Sequence, residues 1–350
     1  MPSLELASID DFLGPRDSRF LGEGFKRVEH SLTDLTIASA AHGADGADGS
    51  NGVDGSNGAG GIEATAHLAI PGVWSRKGDR NQKPHLSSID VMVFAARLTG
   101  LYAAHTYGLA PDARFEVRSI EMKAGSSPDE EGLAKVPVSG RLVAAETAGE
   151  QWSTTLDCRV GSLSARVRAR HSPGRRPVDG PGAYYLEEEL PGPWIDAPYG
   201  VPHATRRQLL TGVRVTGDDE DDRQASARVA LVPDAAGGAR DDASAGMIDT
   251  LVAVMQLGQV MLYTLDGVDR AHSNNLWMRR ATLTLDDGVP APPDGEVTAR
   301  LEQARRLPSP AGTWRSAEVV GALHGVRIRV AVAHLLREPA RHAGAGGGGR

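Results

Sequence analysis

Two segments of the chain are apolar on nearly every face of a helix and share one plan. They run over residues 88–108 and 247–267. In each segment the second and third residues are Ile-Asp and the last residue is glycine. A distance of 159 residues separates Asp90 from Asp249 and also separates the two closing glycines. A helix that is apolar all round is wrapped by other elements. The pattern predicts an internal duplication with one long buried helix in each copy.

Segments with alternating apolar and polar residues flank both helices, and a period of two indicates β-strands. A short polar turn follows each helix and leads to a strand, at 115–118 and 276–279. The offset there, from Arg118 to Arg279, is 161 residues, so the second turn is two residues longer. The other predicted strands are 62–70, 140–145, 153–160, 164–170, 209–215, 225–232, 317–324 and 326–332.

One buried helix per copy, enclosed by a strongly curved antiparallel sheet, is the plan of the hot-dog fold. We therefore predict an α+β double hot-dog, in which two units form a pseudo-dimer within one chain. The predicted units are residues 1–171 and 183–342, joined by a Pro/Gly-rich linker at 172–182 and followed by a frayed Gly-rich tail at 343–350. The alternative is a pair of α+β domains of another topology.

Glycine recurs at every third position through residues 43–61, often after Asp or Asn. The tract contains no proline, so a collagen triple helix is excluded, and it lacks the glutamate that closes an EF-hand calcium loop. The composition instead predicts a disordered insertion within the first unit.

Composition and charge narrow the function classes. Thirty-eight basic and 45 acidic residues give a formal charge of −7, which disfavours nucleic acid as a partner. Cys158 is the single cysteine, so an intrachain disulfide and a cysteine-clustered zinc site are excluded. The N-terminus has no secretory pattern and both apolar runs are interrupted, which predicts a cytoplasmic protein without a membrane partner. Nucleotide and metal motifs are lacking, so we expect no cofactor and no metal.

Three motifs resemble one known family. They are Ser8-Ile9-Asp10-Asp11-Phe12-Leu13-Gly14-Pro15, Phe20-Leu21-Gly22-Glu23-Gly24-Phe25-Lys26-Arg27 and Pro84-His85-Leu86-Ser87-Ser88-Ile89-Asp90. Together they resemble the AvrD family, whose members are implicated in making syringolides, acylated lactones built from a β-ketoacyl chain and a pentulose such as xylulose. The family is related in plan to the A-factor synthases, double hot-dog enzymes that transfer a β-ketoacyl group to dihydroxyacetone phosphate.

The resemblance implies a biosynthetic acyltransferase or condensing enzyme of secondary metabolism. Its partners would be an acyl carrier protein or acyl-CoA thioester and a sugar-like hydroxyl acceptor, and the chain would act as a monomeric pseudo-dimer or a homodimer. One alternative is a dehydratase of 3-hydroxyacyl thioesters. A second is a non-catalytic protein that senses a small molecule or serves as a scaffold.

Acyl transfer needs a base near the acceptor hydroxyl and donors for the developing oxyanion. The catalytic candidates are His85, directly before the first helix, and Asp249, at the start of the second, with His67 and Asp90 in reserve. In double hot-dog dehydratases, a similarly placed aspartate pairs with a histidine of the first half. For Asp90 the Ser-x-x-Asp spacing also indicates a capping box, a structural role that explains the residue by itself.

The candidates for substrate binding are mostly basic or amide side chains. Arg97 and Gln256 interrupt the apolar helices at matching positions, although a structural ion pair would also explain Arg97. Ser88 could present a helix-start amide to an oxyanion, and Arg118 and Arg279 could contact an acidic carrier or a phosphate. We expect His85→Ala and Asp249→Asn to lower turnover with little loss of stability.

Overall fold

The computed structural model describes residues 3–39, 60–149, 151–174, 180–190, 203–220, 222–233, 245–287 and 294–336. The predicted insertion therefore lies outside the described residues up to position 59, as do residues 175–179 of the predicted linker and the whole predicted tail.

Both predicted long helices are present within one residue or two of their expected ends. The described helices are α1 (Asp10–Leu13), α2 (Ser88–Tyr107) and α3 (Met247–Asp266). The chain leaves α2 and α3 through Gly108 and Gly267, with φ angles of 61° and 64°. Only glycine takes this left-handed conformation without a Cβ penalty, so it is the common residue after a helix end.

The strands are β1 (Leu4–Ser8), β2 (Glu29–Ala38), β3 (Gly61–Ala69), β4 (Arg76–Lys77), β5 (Arg80–Asn81), β6 (Phe115–Lys123), β7 (Val136–Ala148), β8 (Gln151–Val160), β9 (Leu163–His171), β10 (Gly182–Leu186), β11 (Arg206–Thr216), β12 (Gln224–Pro233), β13 (Trp277–Leu285), β14 (Asp294–Ser309), β15 (Gly312–Leu323) and β16 (Val326–Leu335). β4 and β5 form a separate hairpin. The other strands form one antiparallel sheet in the order β1-β11-β12-β14-β15-β16-β13-β6-β9-β8-β7-β3-β2-β10.

The middle of this sheet is symmetric. β6 pairs with β13, and Glu121 lies directly opposite Thr282, which is its equivalent at the 161-residue offset found in the sequence. Moving outward from this pair, equivalent strands follow in the same order on both sides. The duplication in the sequence is therefore a duplication of structure.

Each long helix lies on its own half of the sheet. α2 contacts β2, β3 and β6 to β9, whereas α3 contacts β11 to β16. Side chains on every face of α2 are fully buried, among them Val91, Met92, Val93 and Phe94. The structure is mostly antiparallel sheet with few helices, and its core consists of these two helices and the sheet faces that cover them.

The outermost strands are exchanged between the halves. β1, at the start of the chain, pairs with β11 at the edge of the second half. β10, which precedes the second half, pairs with β2 at the edge of the first. Residues 9–28, here called the N-terminal arm, lead from β1 across to β2. Each half therefore has an edge strand that comes from outside its own helix-and-sheet unit.

One helix in the described part of the chain, α3, has the length and composition of a membrane span, with a mean hydropathy of 1.4 over 18 residues. Within the protein, 83% of that window is buried. Core packing thus accounts for its apolar surface.

Candidate functional site

A cavity of about 440 Å³ lies between the two halves. Its wall is largely apolar and includes three of the five tryptophans, Trp74, Trp277 and Trp314. One side of the cavity is formed by the start of α2 and the opposite side by one face of α3. The wall between them comes from the region where the end of β6 meets the start of β13. A concave, mostly apolar space with a few polar groups is the usual form of a small-molecule site.

α3 contributes one continuous stripe to the cavity. Leu251, Met255, Gln259 and Tyr263 lie four residues apart, so their side chains share one face of the helix. Burial raises the pKa of the Tyr263 hydroxyl. The equivalent of Gln259 on α2 is Gly100, which packs against the ring of Phe115 instead of lining a cavity. The two copies have thus diverged at this face.

The first turn of α2 reaches the cavity wall through Ser87 and Ser88. The Ser87 hydroxyl accepts a 3.2 Å bond from the Asp90 amide, and the Asp90 carboxylate accepts a 2.7 Å bond from the Ser87 amide. This is the capping box expected from the sequence. It leaves the amides of Ser88 and Ile89 without intrahelical acceptors, as at any helix start, and the helix dipole favours negative charge there.

His85 lies in the cavity wall between two indole rings. Its ring centroid is 4.6 Å from that of Trp74 and 5.4 Å from that of Trp277. Its Nδ1 lies 3.4 Å from the carbonyl oxygen of Lys83, and the described residues offer no partner to Nε2. Burial lowers the pKa of His85. The imidazole is therefore held neutral, the form that can accept a proton.

Of the residues predicted from the sequence, His85, Ser88 and Arg279 line the cavity. Asp249 is absent from the described lining, although Leu251 of the same helix belongs to it. The structure thus does not bring His85 and Asp249 together in one wall.

Asp249 and Asp90 are buried at equivalent helix starts, and their partners lie on the equivalent strands β11 and β2. Asp90 lies 2.7 Å from Nε2 of His30, and Asp249 accepts a 2.8 Å bond from Nε2 of Gln208. The guanidinium of Arg206 also pairs with Asp249. All five side chains are held by these contacts inside the fold, at the base of their helices.

Arg97 and Gln256 contact the segments that cross between the halves. Arg97 donates to Glu187 over 3.1 Å, which is the structural ion pair considered for it in the sequence. Gln256 accepts a 2.7 Å bond from Arg19, which in turn pairs with Asp10 of the N-terminal arm. Both are absent from the described cavity lining.

The remaining predicted residues lie on the surface of the sheet. Arg118 pairs with Glu116 and Asp287, at 2.9 and 2.8 Å. His67, on β3, bonds Thr33 and the carbonyl oxygen of Ala134, at 2.9 and 2.7 Å. Neither belongs to the described lining of the cavity.

Several lining residues were missed in the sequence. Lys77 lies on the short strand β4 and Arg270 in a turn, neither with a recognisable motif, and Arg19 directly precedes the motif at 20–27 that carried only the family resemblance. The positions of the tryptophans were a possible signal in the sequence, because three of the five line this cavity. Among the described residues, no group of three or more His, Cys, Asp or Glu side chains is placed to hold a metal ion.

The protein is thus one in which two helix-on-sheet copies share one large antiparallel sheet and enclose a largely apolar cavity between them. The family model described as Pseudomonas avirulence D protein (AvrD) matches residues 4–337. The chain belongs to the AvrD family, as the three sequence motifs indicated. A comparison with curated proteins found no match.

Solved structures with similar folds include several thioesterases. A protein described as an oleoyl thioesterase from Lactobacillus plantarum is 11% identical, with a TM-score of 0.37, over 75% of this chain and 93% of its own. The 12:0-ACP thioesterase from Umbellularia californica is 13% identical, with a TM-score of 0.36, over 73% and 90%. A protein of unknown function with a hot-dog fold from Alicyclobacillus acidocaldarius is 11% identical, with a TM-score of 0.35, over 80% and 94%. Overlaps this loose are no basis for assigning an activity.

Proposed function

We propose that the chain is a double hot-dog enzyme that transfers a β-ketoacyl group from a thioester to a sugar-like hydroxyl acceptor. Membership of the AvrD family supports the substrate class, and the cavity beside His85 carries the proposal. The duplicated helix-on-sheet plan supports the pseudo-dimer, with units at 1–171 and 183–342 that exchange their first strands. We place the enzyme in the cytoplasm, with an acyl carrier protein or CoA as the thioester donor.

The chemistry follows from the neutral imidazole. In the proposed step, His85 takes the proton of the acceptor hydroxyl, and the resulting oxygen nucleophile attacks the thioester carbonyl carbon. The first-turn amides of α2 at Ser88 and Ile89 hold the oxyanion of the tetrahedral intermediate. The tetrahedral intermediate then collapses: the new C–O bond to the acceptor remains and the C–S bond breaks. The leaving thiolate takes the proton from His85, which returns the imidazole to its neutral form.

The cavity favours transfer over dehydration. Dehydration of a 3-hydroxyacyl chain with a histidine and a carboxylate needs both groups at the substrate, yet the described lining contains no Asp or Glu. The histidine–aspartate pair of His30 and Asp90 is buried, with side chains 5% and 2% exposed, and is absent from that lining.

Incubation with β-ketoacyl carrier protein, 3-hydroxyacyl carrier protein and xylulose, followed by mass spectrometry, tests the proposal. We expect free carrier and a new acyl-sugar mass from the β-ketoacyl donor. Loss of water from the 3-hydroxyacyl chain would identify a dehydratase, and release of a free β-keto acid would identify hydrolysis. Binding without turnover would identify a non-catalytic protein. Each of these three results contradicts acyl transfer.

A further inference from the structure

The charged residues of the cavity are all of one sign. Its described lining includes Arg19, Lys77, Arg270 and Arg279, and it contains no Asp or Glu. The chain as a whole has the opposite balance, with a formal charge of −7. A positive lining in an acidic protein is a local arrangement that raises the concentration of anions in the cavity.

Arg270 is buried, and no carboxylate of the described residues lies beside it. The residue is 9% exposed, and its bonds among the described residues are long ones, from Nη2 to Ser75 Oγ at 3.4 Å and to the Ser18 carbonyl oxygen at 3.5 Å. Burial lowers the pKa of this guanidinium. A buried charge normally has an ionic partner, because its desolvation is costly. Arg270 thus has unused hydrogen-bonding capacity at the cavity wall.

A second and a third cation lie near Arg270. Arg19 is 2% exposed, and the positive charge of Arg270 contributes to the lowering of the Arg19 pKa to about 10, which is caused mainly by burial. Lys77 donates to the Asn274 carbonyl oxygen at 2.6 Å and to Ser273 Oγ at 3.1 Å, and Ser273 Oγ donates to the backbone carbonyl oxygen of Arg270 at 2.9 Å. Arg19 also pairs with Asp10, so Arg270 is the member of the three that most needs an anion, and an anion in the cavity that all three line would be attracted by each of them.

We propose that Arg19, Lys77 and Arg270, here called the cationic corner, bind the phosphate group of a substrate. This deepens the proposed function, on which it rests, by adding a phosphate group to the substrate class. A guanidinium can bind two phosphate oxygens side by side, and an ammonium adds a point charge. The phosphate could belong to a phosphorylated sugar-like acceptor or to the pantetheine arm of the thioester donor.

Calorimetry with two matched pairs of probes tests the corner and identifies the source of the phosphate. The pairs are xylulose 5-phosphate with xylulose, and 4′-phosphopantetheine with pantetheine. We expect the phosphorylated member of one pair to bind about tenfold or more tightly than its partner, because a charge-assisted hydrogen bond is worth about that factor. The pair that shows the preference names the source. Equal binding within both pairs would overturn the proposal.

Variants connect the preference to the corner. Arg270→Gln should abolish it, Arg270→Lys should retain part of it, and Lys77→Met should weaken it severalfold. Arg166→Gln is the matched control, because Arg166 pairs with Asp157 outside the described lining. Should Arg270→Gln fail to fold, by circular dichroism, Lys77→Met and Arg270→Lys decide the question. A folded variant set with undiminished phosphate preference would contradict the proposal.

The two proposals fail in different ways. If the protein prefers phosphorylated ligands but does not transfer an acyl group, the proposed function is wrong and the phosphate site at the cationic corner is supported. If the protein transfers the acyl group to xylulose and to xylulose 5-phosphate at equal rates, and shows no preference for 4′-phosphopantetheine, the phosphate site is wrong and the proposed function is supported.

Discussion

Two indole rings and a backbone carbonyl surround His85, and this environment determines which form of the imidazole the protein holds. Desolvation disfavours the charged ring, so the pKa of His85 falls below the ordinary value for histidine of about 6.5. A base works in its neutral form, so catalysis should be lost as the pH falls through this lowered pKa. Above it the base is available, including at neutral pH.

We expect the pH profile of kcat/KM for acyl transfer to have an acidic limb below about pH 6.5, the unperturbed histidine value. His85→Gln should remove that limb and lower kcat by about 10²-fold or more, because general base catalysis is lost. His67→Gln is the matched control, since His67 bonds Thr33 and Ala134 outside the described lining. Wild-type turnover by the His85 variant would refute the assignment.

At the scale of elements, the two long helices begin in the same way but with different partners. The carboxylate of Asp90 faces the imidazole of His30, whereas the carboxylate of Asp249 faces the guanidinium of Arg206. Asp249 is 1% exposed, so its loss would leave a buried guanidinium without this carboxylate. This contact changes the expectation from the sequence that Asp249→Asn affects turnover alone.

We therefore expect Asp249→Asn to lower the free energy of unfolding by about 3 kcal/mol, as for a broken buried ion pair. Asp90→Asn should cost about 1 kcal/mol, the value of a weakened cap. Urea unfolding of both variants beside wild type measures the difference, and each serves as the control for the other. Equal losses, or a larger loss for Asp90→Asn, would show that the Arg206 pair is not the cause.

At the scale of the whole molecule, the exchanged edge strands tie the two halves together. β1 completes the sheet of the second half and β10 that of the first, and the β6–β13 pair joins the halves in the middle. Unfolding one half removes an edge strand from the other and opens the cavity between them. The halves should therefore unfold as one cooperative unit.

We expect a single urea transition with the same midpoint by tryptophan fluorescence and by far-ultraviolet circular dichroism. Trp152 reports on the first half and Trp314 on the second, because they lie on β8 and β15. The fluorescence midpoint should be the same whether Trp152 of the first half or Trp314 of the second half has been replaced by phenylalanine. Two separate midpoints would contradict a cooperative molecule.

Six of the sixteen described strands escaped the sequence prediction: the two short strands of the β4–β5 hairpin and four strands of the large sheet, β1, β2, β10 and β14. β2 and β14 contain bulges at Asp34 and Gln303, with φ angles of 55° and 53°. An extra residue reverses which side chains face the core, so the alternation breaks in mid-strand. β1 and β10 are five residues each, too short for a period to be evident.

The duplication and its two buried helices could be predicted from the order of residues alone, because the periodicity of side chains and the caps of a helix depend on neighbours within a few residues. The order of residues also marked His85 and Ser88, which stand at a helix start and line the cavity. Three features depend on the packed halves: Trp74 and Trp277 enclose His85, Arg206 holds Asp249, and Arg270 has no carboxylate partner among the described residues. These contacts join residues that are far apart in the chain, and burial, which sets their charge and pKa, exists only once the halves have packed.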